Sequence, residues 1–208
     1  MGAVVALTAL AGFAQAEDKY PTGPVSIVVP FAAGGTTDAI ARLIAEELQN
    51  RWGTAVVVEN KPGAGGVIAT QAVARSKPDG SQILFNDIGI ALNEVTMPSL
   101  PYNLNEDLRP VITVGEWPLA FVAASNTGIK TMSELIERAK TEDIALGTFG
   151  PASSPHLAAE LLKSLTGINL KVVHFKGVSP VMQAMASGEV HLGVFGVGAA
   201  SGAPPTSV

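Results

Sequence analysis

The stretch VSIVVPFAAGGTTDAIARLIAEELQNRWGTAVVV, residues 25–58, decides the fold class. Its first seven residues, Val25–Phe31, form a nearly continuous apolar run rich in β-branched side chains. That is the pattern of a strand buried on both faces, as in a parallel sheet. Ala32, Ala33, Gly34 and Gly35 break the run, and Thr36, Thr37 and Asp38 supply helix-capping chemistry. Ile40, Leu43, Ile44 and Leu48 then recur at helical spacing, opposed by Arg42, Glu46, Glu47 and Gln49. Gly53 ends the helix, and Ala55–Val58 is the next strand, which completes one strand–helix–strand unit.

The unit recurs downstream. Gly63–Gly66 leads into a helix predicted from Val67 to Arg75, Pro78-Asp79-Gly80 is a turn, and a strand begins at Gln82 and runs to Asn86. Residues 97–110, rich in Pro and Asn, read as loop or short irregular helix. Val111–Val114 and Leu119–Ala123 are strand-like and cross toward a second lobe. Thr131 and Glu134 make a capping box for a helix from Met132 to Lys140. Strands at 144–149, 170–175 and 190–195 alternate with helices at 155–165 and 180–186, the helices closed by Gly167 and Gly188. The class is therefore α/β with mostly parallel sheets. Residues 196–208 carry no periodicity and read as a frayed or truncated end.

Composition narrows the function. Hydrophobic residues are 47% and charged residues 15% of the 208, enough apolar material for a packed core. Thirteen Lys and Arg against eighteen Asp and Glu give a net charge of −5, with no basic run to meet nucleic acid or anionic lipid. There is no cysteine, which excludes disulfides, thiolate metal sites and cysteine nucleophiles. The apolar run Ala3–Phe13 followed by Ala14-Gln15-Ala16 reads as the core and cleavage site of a secretory signal peptide spanning 1–16. No Lys or Arg precedes it, so a basic region upstream of an earlier start codon is expected; a buried N-terminal helix is the other reading.

Ligands of open α/β sheets bind beyond the carboxyl ends of strands. Two loops stand there. In the first, Phe31, Ala32, Ala33, Gly34, Gly35, Thr36, Thr37 and Asp38 bring backbone N–H groups and a helix N-terminus together, which favours an anion. Asp38 interacts with the helix dipole or orients a water or a ligand amino group. In the second, Ser153 or Ser154 caps a helix that Pro155 begins, with His156 in its first turn. Each loop alone also reads as an ordinary turn and cap; the pairing of two such nests facing one cleft is what points to a ligand. Gly63–Gly66 lacks the G-x-G-x-x-G spacing of a dinucleotide loop and reads as structural packing. His156, His174 and His191 lack metal-ligand spacing, and no nucleotide, metal or serine-hydrolase signature occurs, so no cofactor is expected.

Tyr20-Pro21, Val25–Asp38, Val56–Gly66, Ala72–Arg75, Pro78-Asp79-Gly80, Leu100-Pro101-Tyr102, Asp107–Val111, Ser154–Leu162 and Phe175-Lys176-Gly177 stand in an order that resembles the Bug-type extracytoplasmic solute receptors of tripartite tricarboxylate transporters. The resemblance covers roughly residues 20–195. It implies a two-lobed, type II-like periplasmic-binding-protein fold, with 17–122 as the first part of lobe 1 and 123–208 as an incomplete lobe 2. It implies a monomeric periplasmic receptor, not an enzyme, that hands a small organic acid to membrane permease subunits. Carried over, the ligand-binding positions are Phe31 to Asp38, then Ser153, Ser154 and His156, then Lys176, Gly177 and Val178. Gln183 stands where the family usually has an acidic residue, and family members run about a hundred residues longer, so a C-terminally truncated product lacking the return crossover is expected. A non-binding remnant of such a receptor, and an exported hydrolase using Ser153 or Ser154 with His156, are the competing readings.

Overall fold

A computed structural model describes residues 20–200. The signal peptide expected at 1–16 and residues 201–208 lie outside the described residues. β1 (Val25–Val29) is the middle strand of a three-stranded parallel sheet, flanked by β2 (Val56–Asn60) and β3 (Gln82–Leu84) in the order β2-β1-β3. The apolar run predicts this central place: Val25, Ile27 and Val29 face one core, with Ala41, Ala45 and Val56, while Val28 faces another with Ala69 and Val73. Parallel neighbours need crossovers, supplied by α1 (Thr36–Trp52) and α2 (Val67–Ala74). After β3 come α3 (Gly89–Thr96) and the single turn α4 (Leu104–Asp107).

The second sheet has the order β4-β7-β5-β6 and collects β4 (Leu119–Ala123), β5 (Ile144–Thr148), β6 (Leu170–His174) and β7 (Leu192–Gly196). β5, β6 and β7 run parallel, joined by α6 (Ser154–Thr166) and α7 (Val178–Ser187), whereas β4, which precedes α5 (Met132–Arg138), is antiparallel to β7. β5 and β7 are buried along their whole lengths. The boundary expected at 122–123 falls inside β4, which pairs entirely with the second sheet. The architecture is thus α/β, mainly parallel and two-lobed.

Local chemistry explains most element ends. Helices stop at Gly53, Gly167 and Gly188 as the spacing predicts. At α5 the Thr131 hydroxyl accepts the Glu134 amide at 3.2 Å, but the Glu134 carboxylate reaches the Lys130 amide at 2.7 Å rather than that of Thr131. Two expectations fail. Val111–Val114 is not a strand: no described strand pairs with it, and Val111 and Ile112 are 85% and 79% exposed. The helix α3 is not legible in sequence because GIALNEVT offers only two turns and its N-cap Ile88 has no capping side chain, the Gly89 amide being held instead by Asp87 one residue earlier.

Leu146 is fully buried in β5, its Cα registered against Val172 on one side and Leu192 on the other. Leu146→Ala is expected to destabilise the second lobe by about 2–5 kcal/mol, the usual range for a core leucine truncation. Urea unfolding followed by circular dichroism measures it.

Candidate functional site

The first loop is held from below by one carboxylate. Asp38 Oδ2 accepts from the Gly34 N–H and from Arg42 Nε, both at 3.0 Å. Oδ1 accepts from Arg42 Nη2 at 3.0 Å and from Asn60 Nδ2 at 2.9 Å. Asn60 spends its second amide hydrogen on the Phe31 carbonyl, 3.0 Å away. Burial pushes the Asp38 carboxyl up, but the hydrogen bonds from Arg42, Gly34 and Asn60 outweigh it and hold the carboxyl below its ordinary value. With both oxygens engaged inside the chain, Asp38 positions the loop and does not face a ligand amino group. Asn60, which the sequence did not single out, completes the support.

Neither threonine caps α1. Gly35 is the N-cap and no side chain bonds to the end of the helix, so Thr36 and Thr37 sit within its first turn. The Thr36 hydroxyl is buried without a hydrogen-bond partner among the described residues. It faces the end of β7: a β-carbon built on Gly196 would lie 2.6 Å from its oxygen and 3.1 Å from Trp117. A buried hydroxyl without a partner beside a helix N-terminus is a group whose hydrogen-bonding capacity is unspent among the described residues.

The second loop is self-supporting. Ser153 occupies the N-cap position of α6 and is 1% exposed, yet its hydroxyl donates back to the Gly150 carbonyl at 2.8 Å instead of capping the helix. His156 Nδ1 accepts the Ala152 amide at 3.1 Å, which holds Ala152 at a φ of 57°. The His156 ring stands edge-on to His174, 5.0 Å between centroids, and His174 Nδ1 is 2.6 Å from the Thr148 hydroxyl. Burial, and then the neighbouring His156, pushes His174 below its ordinary value. His156 is therefore a loop-shaping residue here, and the pair expected for a hydrolase does not form: Ser153 bonds to Gly150, and the Ser154 hydroxyl donates to Asp87 Oδ2 at 2.6 Å. Among the described residues no group of three His, Cys, Asp or Glu side chains is arranged to hold a metal.

The expected residues divide into two facing pairs of loops. Phe31–Gly35 meets Lys176–Val178: the Ala32 amide donates to the Lys176 carbonyl at 2.9 Å, and the Ser179 hydroxyl to the Ala33 carbonyl at 3.0 Å. Gly177 packs so closely on Ala32 that a β-carbon would stand 2.8 Å from the Ala32 nitrogen, and Val178 covers Gly35. Lys176 contributes its carbonyl, while its side chain is exposed. The loop that carries Ser153 and Ser154 instead meets Asp87, Gly89 and Gly65, the last in a segment that reads in sequence as structural packing. Asn93, fully buried on α3, donates to the Gly65 carbonyl at 3.1 Å and leaves its own Oδ1 without a partner. Phe149 joins the two zones, 5.8 Å from Phe31 and 6.3 Å from Phe195.

Gly65 has a φ of 61°, and a β-carbon there would overlap the Pro151 carbonyl oxygen of the other lobe. An alanine adopts that left-handed conformation at a cost of about 1–2 kcal/mol, so Gly65→Ala is expected to leave each lobe folded and hold them apart. Small-angle scattering should show a larger radius of gyration than wild type; an unchanged radius would refute the contact. The depressed His174 makes stability fall with acid: it is complete above the unfolded histidine range, about 6.5, and is lost as pH drops below that through the lower folded value. Urea midpoints at pH 7.5 and 5.0 should differ, and the difference should shrink in His174→Gln.

Residues 40–202 match the family described as tripartite tricarboxylate transporter family receptor. Protein BugT of Bordetella pertussis is 37% identical over 188 residues, covering 88% of this chain and 58% of that protein. The periplasmic binding protein BugD superposes with a TM-score of 0.81 at 36% identity, over 85% of this chain and 60% of that one. MatC from Rhodopseudomonas palustris with bound malate gives a TM-score of 0.83 at 30% identity, over 91% of this chain and 67% of that one. The chain spans between 54% and 59% of the length of the six curated relatives it matches. A match over most of its length, with superpositions at TM-scores of 0.81 and 0.83, places the chain in the tripartite tricarboxylate transporter receptor family.

Proposed function

We propose that the chain captures a small organic carboxylate between its two lobes, as an exported, monomeric periplasmic receptor that delivers it to the permease subunits of a tripartite tricarboxylate transporter. The observation that carries this reading is the buried, unpartnered Thr36 hydroxyl in the first turn of α1, under a loop whose backbone meets the opposite lobe. The helix N-terminus supplies partial positive charge, and the hydroxyl a donor, so an anionic head group is held without lysine or arginine. Phe31 to Thr37 would line the lobe-1 side, Gly177 and Val178 the wall opposite, and Ser153 and Ser154 the far end. Asp38 and His156 serve by fixing the loops. MatC, with its bound malate, supports the ligand class, and the periplasmic BugD supports the compartment. Neither Ser153 nor Ser154 bonds to His156, which supports binding rather than turnover.

The test is thermal unfolding with and without a panel of mono-, di- and tricarboxylates. An acid present at about 100 times its dissociation constant should add roughly 2.7 kcal/mol of stability. Thr36→Val, which keeps the shape and removes the hydroxyl, should weaken that acid at least tenfold in titration calorimetry while leaving the ligand-free melt in place. A panel that shifts nothing would overturn the receptor reading.

A further inference from the structure

We infer that His156 is a pH-sensitive latch: its neutral imidazole holds the loop 150–154 against the opposite lobe, and a proton on Nδ1 releases that loop and opens the lobes. The inference goes beyond the receptor reading, because it concerns the lobes themselves and holds with or without a ligand. Nδ1 of His156 accepts the Ala152 amide at 3.1 Å. Only an unprotonated nitrogen accepts, so the ring is neutral, with its one proton on Nε2. Ala152 is buried and left-handed, with a φ of 57°. A non-glycine residue rarely adopts that conformation and keeps it only where its neighbours impose it. A proton on Nδ1 turns the acceptor into a donor facing another donor, and the Ala152 amide is left buried without a partner.

That loop carries the lobe-2 side of the seam. The Pro151 carbonyl lies against Gly65, a β-carbon on Gly89 would stand 3.3 Å from the Ala152 carbonyl, and the Ser154 hydroxyl donates to Asp87 at 2.6 Å. A change of backbone at Ala152 moves its own carbonyl and the one before it off their lobe-1 neighbours. The surroundings offer the protonated ring a second partner. On α6, Glu160 Oε1 lies 3.7 Å from His156 Nε2, and Lys163 Nζ is 2.9 Å from the same oxygen. On β6, His174 stands edge-on to the ring, with its Nδ1 against the Thr148 hydroxyl of β5. Burial first, and His156 second, hold His174 below its ordinary value, so it is poorly placed to take the proton instead. From lobe 1, Asp87 reaches Ser154, two residues before the ring. The His156 side chain is 27% exposed, so solvent protons reach it. Histidine changes charge between about pH 5 and 8. The closed arrangement needs the neutral ring, so closure is complete on the alkaline side of that range and is lost as pH falls through it.

Small-angle scattering of the ligand-free chain at pH 7.5 and 5.0 tests this, with circular dichroism on the same samples. The wild type should show a larger radius of gyration at pH 5.0, near that of Gly65→Ala, with an unchanged far-ultraviolet spectrum. His156→Asn places an amide oxygen where Nδ1 stood and cannot take a proton, so its radius should keep the closed value at both pH values. His174→Gln should open as the wild type does, which separates the latch from the loss of stability in acid that belongs to His174. NMR of the wild type gives a second readout if His156→Asn does not fold. The Ala152 amide should lose at least tenfold in hydrogen-exchange protection between pH 7.5 and 5.0, in step with the nitrogen shifts of the His156 ring. Four outcomes would each overturn the inference: a wild-type radius that ignores pH, a folded His156→Asn that opens like the wild type, a larger radius accompanied by loss of the spectrum, or Ala152 protection that does not follow the His156 titration.

Discussion

The seam between the lobes depends on two places where backbone meets backbone with no side chain between. At one, Gly65 lies against the Pro151 carbonyl; at the other, Gly177 lies against Ala32. These approaches bring lobe-1 loops close enough to exchange hydrogen bonds with lobe 2, at Ala32 with Lys176, Ser179 with Ala33 and Ser154 with Asp87. Any larger residue at Gly65 or Gly177 would separate these donors and acceptors and give up the hydrogen bonds between the lobes. Phe149 fills the space between the two seams and packs against the cores of both lobes. The cleft is therefore bounded largely by main chain, the rings of Phe31 and Phe149 and a few hydroxyls, with the Asp87 carboxylate bonded to Ser154 at one end.

That lining explains how the charged side chains of the loops are used. A carboxylate or imidazole at a closing interface loses water, and the cost is tolerable only if neighbours supply hydrogen bonds. Asp38 meets this condition with four, and the result is a rigid post under Gly34 and Phe31. His156 meets it by accepting one amide and stacking edge-on with His174. Asp38 spends both oxygens, and His156 its Nδ1, on holding the backbone of the loops.

Much of this was legible in sequence, for identifiable reasons. The run from Val25 to Val29 had to be a doubly buried strand because it has no polar face to offer water apart from Ser26, and Ser26 is tied to Glu59. The loops at 31–38 and 150–156 were found because a strand followed by glycine or small residues and then a periodic helix has few other readings. Three things were not legible. The Thr36 and Thr37 caps were misread because a glycine N-cap gives no chemical signal next to threonines that look better suited. Val111–Val114 has the composition of a strand, but a strand also needs an edge to pair with, and pairing is not a property of the segment alone. Asp87 and Asn93 matter only because the chain folds 67 residues of sequence back to bring Asp87 to Ser154, a separation no local pattern encodes.

The two helix ends show why similar motifs need not do the same work. Both α1 and α6 begin after a parallel strand, both carry small and hydroxyl residues at the turn, and both present partial positive charge. What separates them is where the nearest carboxylate comes from. Asp38 belongs to the helix it stabilises and is held by Arg42 one turn later. Asp87 comes from the facing lobe, so the contact that completes α6 also joins the lobes. A carboxylate supplied in this way holds the Ser154 hydroxyl only while the lobes are together. The same hydrogen bond thus favours the closed arrangement of the lobes.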